Sequence, residues 1–317
     1  MPSSPPPSSP YAAVPADATD AAVTVGADRA SGGVMPWLAY GTVSIVWGST
    51  YLAIAVALES FTTYGMVAVR FGMAALLTLT LGRLLREPCP TLRELPHLFW
   101  VGTLLLGICN ALVVWSEQHV SSGVAAVLCA MSPAFVGLLT MREEPLGARG
   151  WIGTGVGLTG VVILVAPSPG HSIDLRGVGA ILVATFLWAV GTLHHRRHVH
   201  SKSVLTNAGL EMLAAAVIGL VVAPLTGGFV KGIPTHKAAL AVAYLALFGS
   251  CLAYTAFGFL TKAWHPVRAG TFAYLNPVIA VFLGTLLIGE RFDARMGLGM
   301  AVILGGVALV QYRATGS

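Results

Sequence analysis

From about residue 36 onward, apolar runs of roughly 16 to 22 residues alternate with short breaks carrying charge, glycine or proline. Each run has the length a helix needs to cross a hydrocarbon core about 30 Å thick. The pattern predicts ten such helices, near 36–58, 64–82, 98–116, 120–141, 150–167, 177–195, 205–226, 238–259, 266–288 and 296–312. The expected fold class is therefore an all-α membrane protein with ten transmembrane helices. Residues 1–34, opening MPSSPPPSSP, show no helical or strand period and read as a disordered cytoplasmic tail. The tail has neither the basic start nor the apolar core of a signal peptide.

Composition agrees with lipid as the main solvent. Apolar residues make up 56% of the 317 and charged residues 10%, against about 25% charged in a soluble domain. The net charge of +5 does not mark a nucleic-acid partner, because Lys and Arg fall in short separate loops instead of one patch. There they report topology. With the N-terminus inside, twelve lie in inner segments (Arg29, Arg83, Arg86, Arg93, Arg142, Arg149, Arg196, Arg197, Lys202, Lys262, Arg268, Arg313). Five lie outside (Arg176, Lys231, Lys237, Arg291, Arg295), and Arg70 falls within a helix. This bias predicts a multi-pass protein of the plasma membrane, or the inner membrane of a Gram-negative host, with both termini cytoplasmic. A nine-span arrangement would move the later loops to the other side. Cys89, Cys109, Cys129 and Cys251 lie far apart and imply neither a disulfide framework nor a zinc site.

The second half of the chain resembles the first. SPAFVGLLTMREEPLGARGWIGTGVGLTGVVILV lies over NPVIAVFLGTLLIGERFDARMGLGMAVILGGVALV, matching Pro133 with Pro277, Glu144 with Glu290, Gly153 with Gly299 and Gly160 with Gly306. Earlier in the halves, Trp47 falls opposite Trp188 and Arg70 opposite Glu211. Five spans per half is an odd number, so the two copies enter the membrane in opposite directions. Inverted repeats of this kind place a substrate site at the repeat interface near the bilayer midplane. The expected divisions are 35–168 and 176–312.

WGSTYLAI at 47–54, the proline-then-glutamate ends of both halves, and YLALFGS with AYLNPVIAVFLGTLLIGE resemble the drug/metabolite transporter superfamily, specifically its EamA family with two EamA-type repeats. The resemblance covers about residues 36–312. It implies ten helices and export of small metabolites, amino acids or drugs, without naming a substrate. The first repeat departs from the second by being two residues shorter between its proline and its glutamate.

A charged side chain at bilayer depth costs at least ~2.5 to 3.5 kcal/mol on insertion scales, so it needs a partner or a watery cavity. Arg70 in VAVRFGM and Glu211 in AGLEMLA are in that position. Either they approach one another across the pseudo-two-fold axis, or both line a central cavity. In the cavity Arg70 would attract an anionic group and Glu211 would serve proton or cation coupling. The structural alternative is a helix-to-helix ion pair or snorkelling near an interface. Trp47 and Trp188 are cavity candidates for stacking on a solute, whereas Trp115 reads as a packing or headgroup tryptophan. Asn110, Tyr254, Tyr274 and Asn276 bring hydrogen-bonding groups into apolar helices, for substrate or for a neighbouring helix. Pro133 and Pro277 fall inside the fourth and ninth spans and are expected to kink them. Glu117 and His119 read as solvated residues of a turn.

Two motifs carry less than they suggest. Gly155, Gly157 and Gly160 satisfy G-x-G-x-x-G but lie inside a span with no strand before it, so they read as a helix-packing surface. His194, His195, His198 and His200 are interleaved with Arg196 and Arg197 at a helix end and read as headgroup or water contacts, so neither a metal nor a cofactor is expected. No G-x-x-x-x-G-K-[ST] loop supports direct use of ATP, and the sparse polar residues form no recognisable catalytic set, so an enzyme is not expected. The reading is a secondary transporter, with a channel or a non-transporting membrane scaffold as the alternative. The expected partners are a small-molecule solute and the lipid bilayer, with no nucleic acid. A monomer and a homodimer are both compatible with the repeat pair.

Overall fold

The computed structural model describes residues 33–120, 122–143, 145–165, 174–288 and 294–311. The expected tail up to residue 32, and Glu144 and Glu290 at the ends of the two halves, lie outside the described residues. Among those described, the regular elements are all helices joined by short turns and loops, with an isolated bridge between Phe61 and Val230. In chain order the helices are α1 Val34–Ala57, α2 Thr63–Leu84, α3 Leu95–Ser116, α4 Ser122–Cys129, α5 Ser132–Thr140 and α6 Ala148–Val165. They continue with α7 Leu175–His198, α8 Val204–Val222, α9 His236–Ala263, α10 Pro266–Gly270, α11 Phe272–Ile288 and α12 Ala294–Gln311. Six of them are long and apolar enough to span a bilayer: α1, α2, α3, α7, α8 with its 3₁₀ extension to Thr226, and α9. The other apolar helices are shorter.

Local chemistry sets these boundaries. Thr62 starts α2 by accepting from the Gly65 N–H at 3.0 Å, and Thr235 starts α9 by accepting from Ala238 at 3.2 Å. Gly227 ends the α8 extension at φ 107°, a conformation that only glycine adopts at little cost. Ile45, Leu76, Ile152, Val183, Leu220 and Leu240 point outward and are exposed, as helices bathed in lipid require.

The proline expectation needs correction. The run at 120–141 is two helices separated by a turn at residues 130–131, and Pro133 lies in the first turn of α5. It therefore opens a helix, where its missing N–H costs nothing, and does not bend a continuous one. Pro277 does sit inside continuous α11, and the break in that half falls earlier, at Thr271. Both α3 and α9 contain an eight-residue π-helical segment, Gly102–Cys109 and Leu245–Leu252.

The most extensive pairings are α2 with α8 and α6 with α12. α1 packs on α9 and α11, and α7 packs on α3 and on α4 with α5. Small residues set the α6/α12 distance. A Cβ on Gly306 would stand 2.4 Å from the Gly157 nitrogen, and one on Gly160 2.6 Å from that of Ile303. The glycine motif is thus a packing surface, although Gly155 meets nothing within 4 Å.

The connections pair at opposite ends. At one end Lys231 donates from its backbone to Ser60 and from Nζ to the Leu58 carbonyl, both at 2.8 Å. At the other, the Glu87 carboxylate accepts from the N–H groups of Leu205 and Thr206, and that of Glu94 from His200 and Ser201. Arg197 reaches Glu143 at 2.6 Å at this same end.

Candidate functional site

A cavity of about 120 Å³ lies at the centre of the helices. A water needs only about 10–15 Å³ by this kind of measure, so there is room for several waters or a small solute. Its wall draws Trp47, Thr50 and Tyr51 from α1, Arg70 from α2, and Asn110 from α3. Ser132 of α5, Thr185 and Trp188 of α7, Ser250 and Tyr254 of α9, and Asn276 of α11 complete it.

Arg70 is 4% exposed, and its Nε donates to the Ser250 hydroxyl at 2.9 Å. The π-helical segment of α9 presents that hydroxyl. Beside it, a Cβ on Gly249 would come within 3.2 Å of Arg70 Nη2, so glycine allows the backbone to approach the guanidinium. Among the described residues, Nη1 has no hydrogen-bond partner, and neither do the side-chain oxygens of Asn110 and Asn276. A buried polar atom left unpaired costs about 1–3 kcal/mol. The wall therefore holds one free cationic donor and two free acceptors.

The same cavity has an aromatic wall. Trp47 packs edge-on against Trp188 at 5.6 Å and Phe272 at 4.9 Å, and Phe257 lies 5.2 Å from Trp47. The indole Nε1 of Trp47 donates to the Gly249 carbonyl at 2.8 Å, which fixes the ring.

Glu211 does not meet Arg70, contrary to one expectation, nor does it line the central cavity. It borders a second, smaller cavity with His195, Asn207 and Lys262. Its Oε2 accepts from the Tyr254 hydroxyl at 2.7 Å, and its Oε1 lies 3.2 Å from His195 Nε2, at ion-pair distance but outside hydrogen-bond alignment. Tyr254 lines both cavities and separates Glu211 from Arg70. Tyr274 also departs from expectation. Fully buried, it packs with Ala130 and Ile303 against α12, because Ala273 and Asn276 occupy the cavity-facing side of α11 and Tyr274 is turned away.

Glu117 was expected to be a solvated turn residue, yet both its carboxylate oxygens are buried, without a hydrogen-bond partner among the described residues, and in electrostatic reach of Arg70. Its position at the last turn of an apolar run conceals its depth. The available signal was the unbalanced Arg70 in the neighbouring helix. Trp115 is 37% exposed and packs on His119 at 4.0 Å, away from the cavity.

A profile of the EamA-like transporter family matches residues 36–166 and 175–312. The chain is 36% identical over 276 residues to the inner membrane transporter YedA of Escherichia coli, covering 84% of this chain and 87% of that protein. It is 27% identical over 280 residues to a protein of Streptantibioticus cattleyicolor named "Probable terminal-alkyne amino-acid exporter", covering 86% and 92%. It is 25% identical over 270 residues to PecM of Dickeya dadantii, covering 84% and 89%. A solved crystal structure shares the fold at a TM-score of 0.72 and 19% identity, over 86% of this chain and 96% of that one.

Proposed function

Because the chain belongs to the EamA-like transporter family, we propose that it moves a small zwitterionic solute out of the cell by alternating access, with the solute's carboxylate held by Arg70. The observation that carries this reading is the unpartnered Nη1 of Arg70, set in the same cavity as the unpartnered oxygens of Asn110 and Asn276. A carboxylate satisfies the first and an ammonium group the other two. The wall of Trp47, Trp188 and Phe272 then takes an apolar or flat side chain and adds a cation–π contribution. An amino acid or a compound built on one has all three parts. The Streptantibioticus relative, named for amino-acid export, fits that class.

The carrier is proposed to contain ten spans in two inverted halves, 35–168 and 176–312, with α4 plus α5 and α10 plus α11 each forming one broken span. Two observations support this. The family profile matches two stretches, and exchanging the halves leaves the helix pairings unchanged: α1 with α9 and α11 becomes α7 with α3 and with α4 and α5. The positive loops support cytoplasmic termini in the plasma membrane. Glu211, bonded to Tyr254 beside the solute cavity, is proposed as the coupling carboxylate.

Thermal unfolding of the purified protein with a panel of amino acids, sugars, nucleosides and cationic dyes tests the assignment, since a ligand of the folded state raises apparent stability. Zwitterionic amino acids are expected to raise the midpoint in the wild type and not in Arg70→Gln. Stabilisation by sugars or nucleosides alone, or by amino acids equally in both proteins, would overturn it.

A further inference from the structure

The first turn of α3 and the last turn of α7 bring three imidazoles together at the end of the molecule closed by Glu87 and Glu94. His97 Nδ1 lies 3.1 Å from His194 Nε2. His198 stacks on both, with ring centroids 4.2 Å from His194 and 4.7 Å from His97. One nitrogen from each ring lies within 4.8 Å of the others. His194 and His198 are four residues apart, on one face of α7, and His97 completes the set from a different helix. His97 and His194 are half-buried while His198 is exposed, which leaves the cluster open to water.

The hydrogen bonds prepare these rings as ligands. His198 Nδ1 is 3.0 Å from the carbonyl oxygen of His194. A carbonyl only accepts, so the proton is on Nδ1 and the lone pair on Nε2, the arrangement that outer partners impose on metal-binding histidines. His97 and His194 share one proton between their facing nitrogens. An ion takes its place once the donor ring shifts that proton to its other nitrogen. Two imidazole nitrogens at ~2.0–2.1 Å from a tetrahedral ion stand about 3.3 Å apart, close to the 3.1 Å observed. Among the described residues the cluster contains no carboxylate, so it suits ions that prefer nitrogen over oxygen ligands.

We propose that His97, His194 and His198 form a binding site for a divalent transition metal of the zinc class, with a fourth position open to water. The ion ties α3 to α7 next to His195 on the wall of the second cavity. The site is independent of the solute assignment.

Calorimetric titration of tag-free protein with ZnCl₂, with MgCl₂ alongside, tests the proposal. One Zn²⁺ per chain is expected, with no Mg²⁺ response. His97→Gln and the paired His194→Gln and His198→Gln are expected to weaken binding by at least the ~10–100-fold that loss of an outer-shell partner alone causes. Cys89→Ser, removing the exposed thiol of the neighbouring loop, and His119→Gln at the opposite end are expected to leave it unchanged. In parallel, bound Zn²⁺ should protect these three histidines of the wild type from diethyl pyrocarbonate, read by mass spectrometry, which needs no variant to fold. No Zn²⁺ binding, binding that survives the histidine substitutions, or absence of protection would overturn the site.

Discussion

Replacing Arg70 with glutamine removes the cavity's positive charge yet keeps a donor able to reach the Ser250 hydroxyl. A hydrogen bond to a charged group contributes about 1.5–3 kcal/mol. Affinity for a carboxylate-bearing solute is therefore expected to fall by roughly 10- to 150-fold in Arg70→Gln, measured by titration, while neutral dyes that use only the aromatic wall keep theirs. At this scale much of the lining of the candidate cavity was legible. Arg70, Trp47, Trp188 and Asn110 stand out because polar or amphipathic groups inside apolar runs need a reason to be there. Tyr274 passed the same filter and failed, since composition carries no helix phase, and one step along α11 turns a side chain from the cavity to a helix contact. Glu117 failed for the converse reason: the end of an apolar run does not reveal how deeply its last residue is buried.

At the scale of the elements, the α6/α12 contact offers a matched pair of substitutions. Gly306→Ala places a methyl 2.4 Å from backbone, whereas Gly155→Ala meets nothing within 4 Å. Thermal unfolding should show the first destabilised by roughly 1–3 kcal/mol, the usual cost of overpacking, and the second unchanged. The connections give a pH prediction. Hydrogen bonds from Thr91, reinforced by the backbone of His200 and Ser201, lower the Glu94 carboxyl from its ordinary 4.5 to about 2. Its contribution is therefore present above pH 4.5 and lost as pH falls towards 2. The difference in melting temperature between wild type and Glu94→Gln should be constant above the upper value and close towards the lower. Helix positions were legible because apolar length is imposed by the bilayer. The breaks were not, because a turn at 130–131 and two π-helical segments leave hydropathy unchanged. One sign of the π-helical segments is visible with hindsight: LLGICNA at 105–111 and LFGSCLA at 247–253 share glycine, cysteine and alanine at the same spacing.

On the scale of the whole molecule, two cavities lie to either side of Tyr254, one suited to solute and the other holding Glu211. In the proposed carrier, coupling through Glu211 and binding through Arg70 are separable. Reconstituted Glu211→Gln should still exchange labelled for unlabelled solute, which needs no driving gradient, but should lose accumulation driven by a proton gradient. Loss of both activities together would merge the two sites into one. The proposed repeat rests in the sequence on matched residues such as Gly153 with Gly299 and Gly160 with Gly306, whereas the way the helices interlock depends on contacts far apart in the chain.

Carriage of an amino acid through the Arg70 cavity is tested by the initial rate of labelled amino-acid uptake into proteoliposomes, measured against concentration for wild type and Arg70→Gln. A saturable rate is expected in the wild type, with at least a tenfold loss of uptake at low concentration in Arg70→Gln, the lower bound set by that charged hydrogen bond. A rate that rises without saturating, or one that Arg70→Gln leaves unchanged, would contradict carriage through that cavity.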